Sequence, residues 1–213
     1  MDTIRIVLVE DDPVWRTMLT DFMNNESDLH VVKAVETKDE AIHYCKHNKH
    51  DIVLMDINLT HNNLDGIQAI LELNLIGTEA KVIALTSLSD EKVIIETYTA
   101  GAIQYISKND FRILPETIRR AMNSTSPQEI LAREYMRLRE AEQYNKLTAA
   151  EREIVTLSQE GATREQIKEK LNKSEGTLKN QITSILRKFG VRSMKEVDKK
   201  IKSRGLNAQE FEQ

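Results

Sequence analysis

Four places in this 213-residue chain carry groups suited to handling a hard cation and a phosphoryl group together. Glu10, Asp11 and Asp12 stand in a row where the apolar run IRIVLV ends, Asp56 ends DIVLM, Thr86 and Ser87 end KVIAL, and Lys108 follows IQYIS. Neighbouring carboxylates at a buried strand end repel one another, and desolvation raises their pKa. Such a triplet therefore calls for a positive partner. Hard oxygen ligands with spare coordination positions suit Mg2+, which keeps waters and takes one or two carboxylates plus phosphate oxygens. Glu10, Asp11 and Asp56 are the candidate ligands. Asp56, facing such an ion, is placed to attack a phosphoryl donor and become an aspartyl phosphate. Lys108 would neutralise phosphoryl oxygens, and the Thr86 hydroxyl would donate a hydrogen bond to one. Taken singly, each residue has a plainer reading. Asp12, just before Pro13, reads as a solvated turn or helix-capping group, and Lys108 as a surface lysine. The signal is their joint placement on successive strand ends.

That placement requires a parallel sheet. The β-branched runs at 4–9, 30–35, 51–55, 81–85 and 103–107 read as strands. Between and after them lie helical patterns at roughly 13–24, 37–47, 65–75, 90–100 and 110–122, the first with Val14, Met18, Leu19 and Phe22 on one face. Five β-then-α units predict an α/β, doubly wound, five-stranded parallel sheet, whose ligands collect beyond the carboxyl ends of the strands. Residues 126–146 open with Ser126 as a cap and Pro127 at the first helical position, with Ile130, Leu131, Tyr135, Leu138 and Ala141 at helical spacing. The pattern is too short for sustained heptads and reads as a connecting helix.

From Leu147 strand signals stop. The amphipathic stretches LTAAEREIVTLSQEG, TREQIKEKL, SEGTLKNQITSILRKFG and SMKEVDKKIKSRG, with Gly161, Gly190 and Gly205 as helix-ending glycines, predict an all-α four-helix domain. The third stretch is basic, with Lys179, Arg187 and Lys188 on it, Lys173 before it and Arg192 after. Its one acid, Glu175, lies at the N-terminus, where the helix dipole favours it. Leu178, Ile182, Ile185, Leu186 and Phe189 form its inner face. Such a helix reads either as a solvated face or as the second member of a helix-turn-helix entering the major groove of double-stranded DNA.

Charge divides the chain the same way. Residues 147–213 hold 14 Lys/Arg against 10 Asp/Glu, leaving 16 against 24 in residues 1–146. An acidic first part joined to a basic second part points to domains with different partners. At 40% hydrophobic and 30% charged residues, the composition is that of an ordinary globular protein. No stretch approaches the roughly 18–20 apolar residues that span a bilayer. MDTIRIVL enters a strand pattern at once, and the lone Cys45 rules out an internal disulfide framework, so a cytoplasmic location with no membrane partner is expected. His43, His47 and His50 with Cys45 read as a solvated polar helix end rather than a zinc site, which needs converging ligands. Cys45 itself reads as a small buried or half-buried residue, and Trp15 as packed or partly exposed on the first helix.

Beyond these readings, VLVEDDP, DIVLMDINL…LDG, VIALTS and AGAIQYISK resemble the signature segments of bacterial response-regulator receiver domains, in order over residues 3–121. The resemblance implies a flavodoxin-like receiver domain over 1–122. Asp56 would accept phosphoryl from a histidine kinase. Glu10 and Asp11 would be the acidic pair holding Mg2+, and Asn58 would lend its backbone carbonyl to the metal. Thr86 and Lys108 would take the switch-hydroxyl and lysine positions, and Tyr105 that of the switch aromatic. Two departures bear on the site: Gly66 follows Asp56 at a longer spacing than the family usually has, with Asn62 and Asn63 in the added stretch, and the family's common proline of this loop is missing.

EREI…G…TREQIKEKLNKSEGTLKNQITSILRKFGV resembles the LuxR-type (NarL/FixJ) helix-turn-helix, which sets a linker helix at 123–146 and a DNA-binding domain at 147–213. By that resemblance Lys179, Asn180 and Thr183 face the groove, and Thr177 and Lys188 meet phosphates. Gln181 stands where histidine is frequent; it would pair bidentately with adenine if it reaches the groove, or pack onto phosphate. The whole implies a two-component response regulator, not an enzyme, that regulates transcription and dimerises on phosphorylation. The alternatives are a phosphorylation-independent DNA-binding regulator controlled by protein partners, and a metal-dependent phosphotransferase, which lacks a glycine-rich phosphate loop.

Overall fold

In the computed structural model, which describes residues 3–59, 64–123 and 126–206, the β-branched runs form strands because their side chains fill both faces of one sheet. The order along the chain is β1 (Ile4–Val9), α1 (Pro13–Asn24), β2 (Leu29–Val35), α2 (Lys38–His47), β3 (Ile52–Met55), α3 (Asp65–Leu75), β4 (Lys81–Thr86), α4 (Glu91–Ala100), β5 (Gln104–Ser107), a 3-10 turn (Lys108–Ile113) and α5 (Leu114–Asn123). All strand pairs are parallel, in the spatial order β2-β1-β3-β4-β5. Alternation along each strand sorts the core. Val7, Val9, Val53, Met55, Val82 and Ala84 point to one side, and Ile6, Leu8, Ile52, Leu54, Ile83 and Leu85 to the other.

Two local expectations change. The single helix expected over 110–122 is a 3-10 turn followed by α5, because Pro115 has no N–H to continue an α-helix backwards and Asp110 adopts a bridge conformation (φ −102°, ψ 16°). Val14 leaves the apolar face assigned to it and is 74% exposed, in the first turn of α1, while Leu19 and Met23 carry the burial.

The chain divides into two compact units, one holding the residues up to Met136 together with Leu206 and the other Arg137–Gly205. Helix α6 (Pro127–Asn145) supplies residues to both. Ser126 Oγ accepts the Glu129 N–H at 3.1 Å, as its capping role requires. Within the first unit, the fully buried Glu129 pairs with Lys81 at 2.8 Å and with Arg133. Ile130, Leu131 and Leu138 of α6 remain exposed.

The second unit holds α7 (Ala149–Gln159), α8 (Arg164–Lys170), α9 (Glu175–Phe189) and α10 (Met194–Lys202) around Leu147, Ile154, Val155, Ile167, Leu178, Ile185, Phe189, Val197 and Ile201. Thr148 with Glu151, and Thr163 with Gln166, close reciprocal capping boxes that start α7 and α8. Ser174 starts α9, and Gly190 ends it in the left-handed conformation (φ 62°) that glycine adopts without a Cβ penalty. Among the described residues no helix is long and apolar enough to cross a membrane.

Candidate functional site

Register builds the acidic site. Val9 pairs with Met55, so the residues that follow them, Glu10 and Asp56, leave the sheet side by side. Backbone bonds fix both exits: the Asp56 N–H donates to the Val9 carbonyl at 2.9 Å, and the Glu10 N–H to the Val35 carbonyl at 3.0 Å. Thr86 pairs with Ser107, which puts Lys108 at the end of the neighbouring strand. Glu10, Asp11 and Asp56 each offer a carboxylate oxygen, and these oxygens lie within 4.8 Å of one another.

Lys108 reaches into this group. Its Nζ lies 2.7 Å from Asp56 Oδ2 and donates to Glu10 at 2.8 Å, with all three side chains buried. Burial is the largest influence on Glu10 and pushes its carboxyl up to about 7; the Lys108 bond opposes that rise, and the charge of Asp56 adds to it. Burial also works against the Lys108 ammonium, but its bonds to Asp56 and Glu10 outweigh that and raise its pKa. The remaining oxygen of Asp56, Oδ1, accepts the Asn58 N–H at 3.1 Å.

The expected switch residues form a chain around the β4–α4 loop. Thr86, 1% exposed, accepts the Leu88 N–H on its hydroxyl at 3.2 Å. The Leu88 carbonyl accepts the Tyr105 hydroxyl at 2.6 Å, and burial, the largest cause, pushes that phenol up to about 12. Asp12 takes the plainer role, its Oδ1 accepting the Val14 and Trp15 N–H groups to cap α1. The added stretch containing Asn62 and Asn63 lies outside the described residues.

Three further contacts at the site carry no signal in residue type or spacing. Trp15 is half-buried, with Lys108 Nζ 5.3 Å from its ring and Phe111 edge-on at 5.9 Å. Arg16 bonds the backbone of the acidic pair. Gly66 brings α3 against β3: a Cβ there would lie 2.0 Å from the Asp56 carbonyl oxygen and 2.6 Å from Ile57 Cα. Its position ten residues after Asp56 was visible, but a close backbone approach leaves no side-chain signal.

On α2 the His43 and His47 rings lie 4.9 Å apart, but no third ligand joins them to form a metal cluster among the described residues. His47 Nδ1 lies 2.8 Å from the His43 carbonyl oxygen, His50 Nδ1 lies 2.8 Å from that of Asn48, and Cys45 is buried with its thiol pushed up to about 11 by burial. The only cluster of three or more potential metal ligands among the described residues is Glu10, Asp11 and Asp56.

On the basic helix α9, Thr177, Lys179, Asn180 and Thr183 are exposed, and the Thr183 hydroxyl donates to the Lys179 carbonyl at 2.9 Å. Gln181 is half-buried, and its Oε1 accepts no hydrogen bond. Lys188 turns back to Glu151 at 2.5 Å. Glu151 is buried, which by itself raises its pKa, yet bonds from Lys188, the Thr148 backbone, Ser184 and the Thr148 hydroxyl bring it down to about 2.

The response regulator receiver domain family matches residues 6–119, and the bacterial regulatory proteins of the luxR family match residues 145–198. The response regulator protein VraR of Staphylococcus aureus (strain NCTC 8325 / PS 47) is 28% identical over 193 residues, covering 89% of this chain and 91% of that protein. The response regulator domain of Thermotoga maritima CheB is 30% identical over 57% of this chain and 98% of its own, with a TM-score of 0.52. A structure of the Salmonella typhimurium RcsB response regulator covers 91% of this chain and 95% of its own at a TM-score of 0.53; at 19% identity it speaks to fold alone.

Proposed function

The chain belongs to the LuxR-type response regulators, two-component DNA-binding transcriptional regulators, and from that premise we propose that Asp56 is its phosphoryl acceptor and α9 its recognition helix. The observation that carries this reading is the convergence of Glu10, Asp11 and Asp56 with Lys108 beyond the carboxyl edge of the sheet. A histidine kinase is the donor. An oxygen of Asp56 attacks phosphorus, the bond from phosphorus to the donor nitrogen breaks, and the electron pair leaves with that nitrogen.

Glu10, Asp11, Asp56 and the Asn58 carbonyl are the ligands for Mg2+. The fit rests on an all-oxygen donor set with three carboxylates gathered within 4.8 Å. When bound, Mg2+ offsets the negative charge gathered by these carboxylates and the incoming phosphoryl oxygens. Lys108 exchanges a carboxylate for a phosphoryl oxygen. Thr86 turns its hydroxyl from the Leu88 N–H toward the phosphoryl group, and Tyr105, bonded to the same loop, follows. The receiver comprises residues 1–122, the linker helix 123–146 and the DNA-binding domain 147–213. Phosphorylation shifts the receiver between two states and promotes a homodimer, which matches two DNA half-sites.

On α9, Lys179, Asn180 and Thr183 face the major groove, and Thr177 and the adjacent backbone meet phosphates. Lys188 serves as an internal counter-ion to Glu151 as well as a basic residue near DNA. A gel-shift titration of the protein with and without phosphoryl on Asp56 tests the reading. Tighter binding and doubled stoichiometry are expected on phosphorylation. Identical affinity and stoichiometry would contradict it and favour control by protein partners.

A further inference from the structure

The β1–α1 loop holds three consecutive carboxylates, and something must fix where they point. Asp12 caps α1, and the Arg16 N–H donates to the Asp12 carbonyl at 2.9 Å, which secures only the far end of the loop. The guanidinium of Arg16 secures the near end. Its Nη1 donates to the Glu10 carbonyl at 2.8 Å and to the Asp11 carbonyl at 3.0 Å, while Nη2 meets Glu36 at 2.7 Å. One planar fork therefore bonds the backbone of both acidic residues and anchors itself on the segment after β2.

We propose that Arg16 is the positioning residue that sets the Mg2+ affinity of the Glu10–Asp11 pair. This rests on the reading of the acidic site given above. Two carbonyls held by one guanidinium cannot rotate independently, so the peptide units of residues 10 and 11 are fixed and their side chains leave the loop in set directions. Glu10 and Asp11 are then held within 4.8 Å of Asp56 before any cation arrives. Glu10 keeps its N–H bond to the Val35 carbonyl and its bond from Lys108, so without the fork it is the Asp11 peptide whose ordering falls to the ion and is subtracted from its binding free energy. Plain electrostatics argues the other way, since a cation near the site repels Mg2+ and its removal would tighten binding. Glu36 beside the guanidinium mutes that repulsion, so loss of positioning outweighs it.

The test is a Mg2+ titration of the full chain, followed by heat and by fluorescence of Trp15, the only tryptophan. Arg16→Met and Arg16→Lys are compared with wild type, with thermal unfolding in parallel. Arg16→Met keeps the stem and removes the fork, and its Mg2+ affinity is expected to fall on the order of 10-fold, as for other groups that orient metal ligands. Both carbonyl bonds come from the single nitrogen Nη1 and the anchor on Glu36 from Nη2, so Arg16→Lys keeps one donor nitrogen, loses the separate anchor, and is expected to lie between. Unchanged or tighter binding in a folded Arg16→Met would overturn the proposal. If that variant does not fold, wild-type affinity in Arg16→Lys overturns it instead. Absence of Mg2+ binding by wild type would overturn the underlying reading of the site, an outcome separate from equal binding by all three.

Discussion

Lys108 Nζ sits 2.7 Å from Asp56 Oδ2, a buried ammonium joining the ends of two strands that are not neighbours in the sheet. The same ammonium bonds Glu10, so without a divalent cation it is the positive charge that makes this carboxylate cluster tolerable. Lys108→Met removes it and leaves two buried carboxylates facing each other. A loss of about 3–5 kcal/mol is expected, the usual cost of breaking a buried pair from one side. Urea unfolding followed by Trp15 fluorescence measures it, and Mg2+ should restore much of the loss. Equal losses with and without Mg2+ would contradict the shared-charge account.

Gly66 is a backbone requirement of the same site. Its missing Cβ lets the first turn of α3 lie against the Asp56 carbonyl. Gly66→Ala forces β3 and α3 apart, and a destabilisation of about 1–3 kcal/mol is expected, as for other overpacked positions. Because the displaced backbone carries Asp56, phosphoryl uptake should fall together with stability. Uptake at the wild-type rate in the alanine variant would show that the contact does not set the position of Asp56.

The lysines of α9 should separate in their behaviour toward DNA. Lys179 is exposed, and Lys179→Ala should weaken binding uniformly across sequences and reduce the salt slope by about 1. Asn180→Ala should instead relax base preference at one position, worth about 1–3 kcal/mol of discrimination. Lys188→Ala should act chiefly on folding, because Lys188 pairs with Glu151. Salt-dependent binding isotherms for the three variants check this.

Glu151 gives the second unit a defined acid sensitivity. Its pKa is about 2 in the folded protein against an ordinary value of 4.5, so the folded state favours the charged form. The stability this contributes is complete above 4.5 and is lost as pH falls through the window from 4.5 to about 2. Hydrogen-exchange protection of α7 and α9 in the full chain should drop across that window in wild type. In Glu151→Gln, which cannot titrate, protection should start lower and change less.

The sheet was legible because each strand run is short, β-branched and followed by a helical pattern, whereas the pairing of Val9 with Met55 was not, since alternation sorts faces without fixing which residues pair. Glu10, Asp56, Thr86 and Lys108 were legible because a parallel sheet delivers its strand ends to one edge. Arg16 was not, since it acts through its reach to two backbone carbonyls and nothing in its type or spacing announces them. Val14 is exposed although helical spacing sets it with Met18 and Leu19, because in the first turn of α1 it is Trp15 that packs against the core. The partnership of Lys188 with Glu151 was hidden for a related reason: a basic residue on a recognition helix looks the same in sequence whether it faces phosphate or an internal carboxylate.

The most direct test of the account is the intact mass of the protein after incubation with Mg2+ and a small-molecule phosphodonor, wild type beside Asp56→Ala. One phosphoryl group is expected on wild type and none on the variant. The same gain in both proteins would contradict it by placing the nucleophile elsewhere.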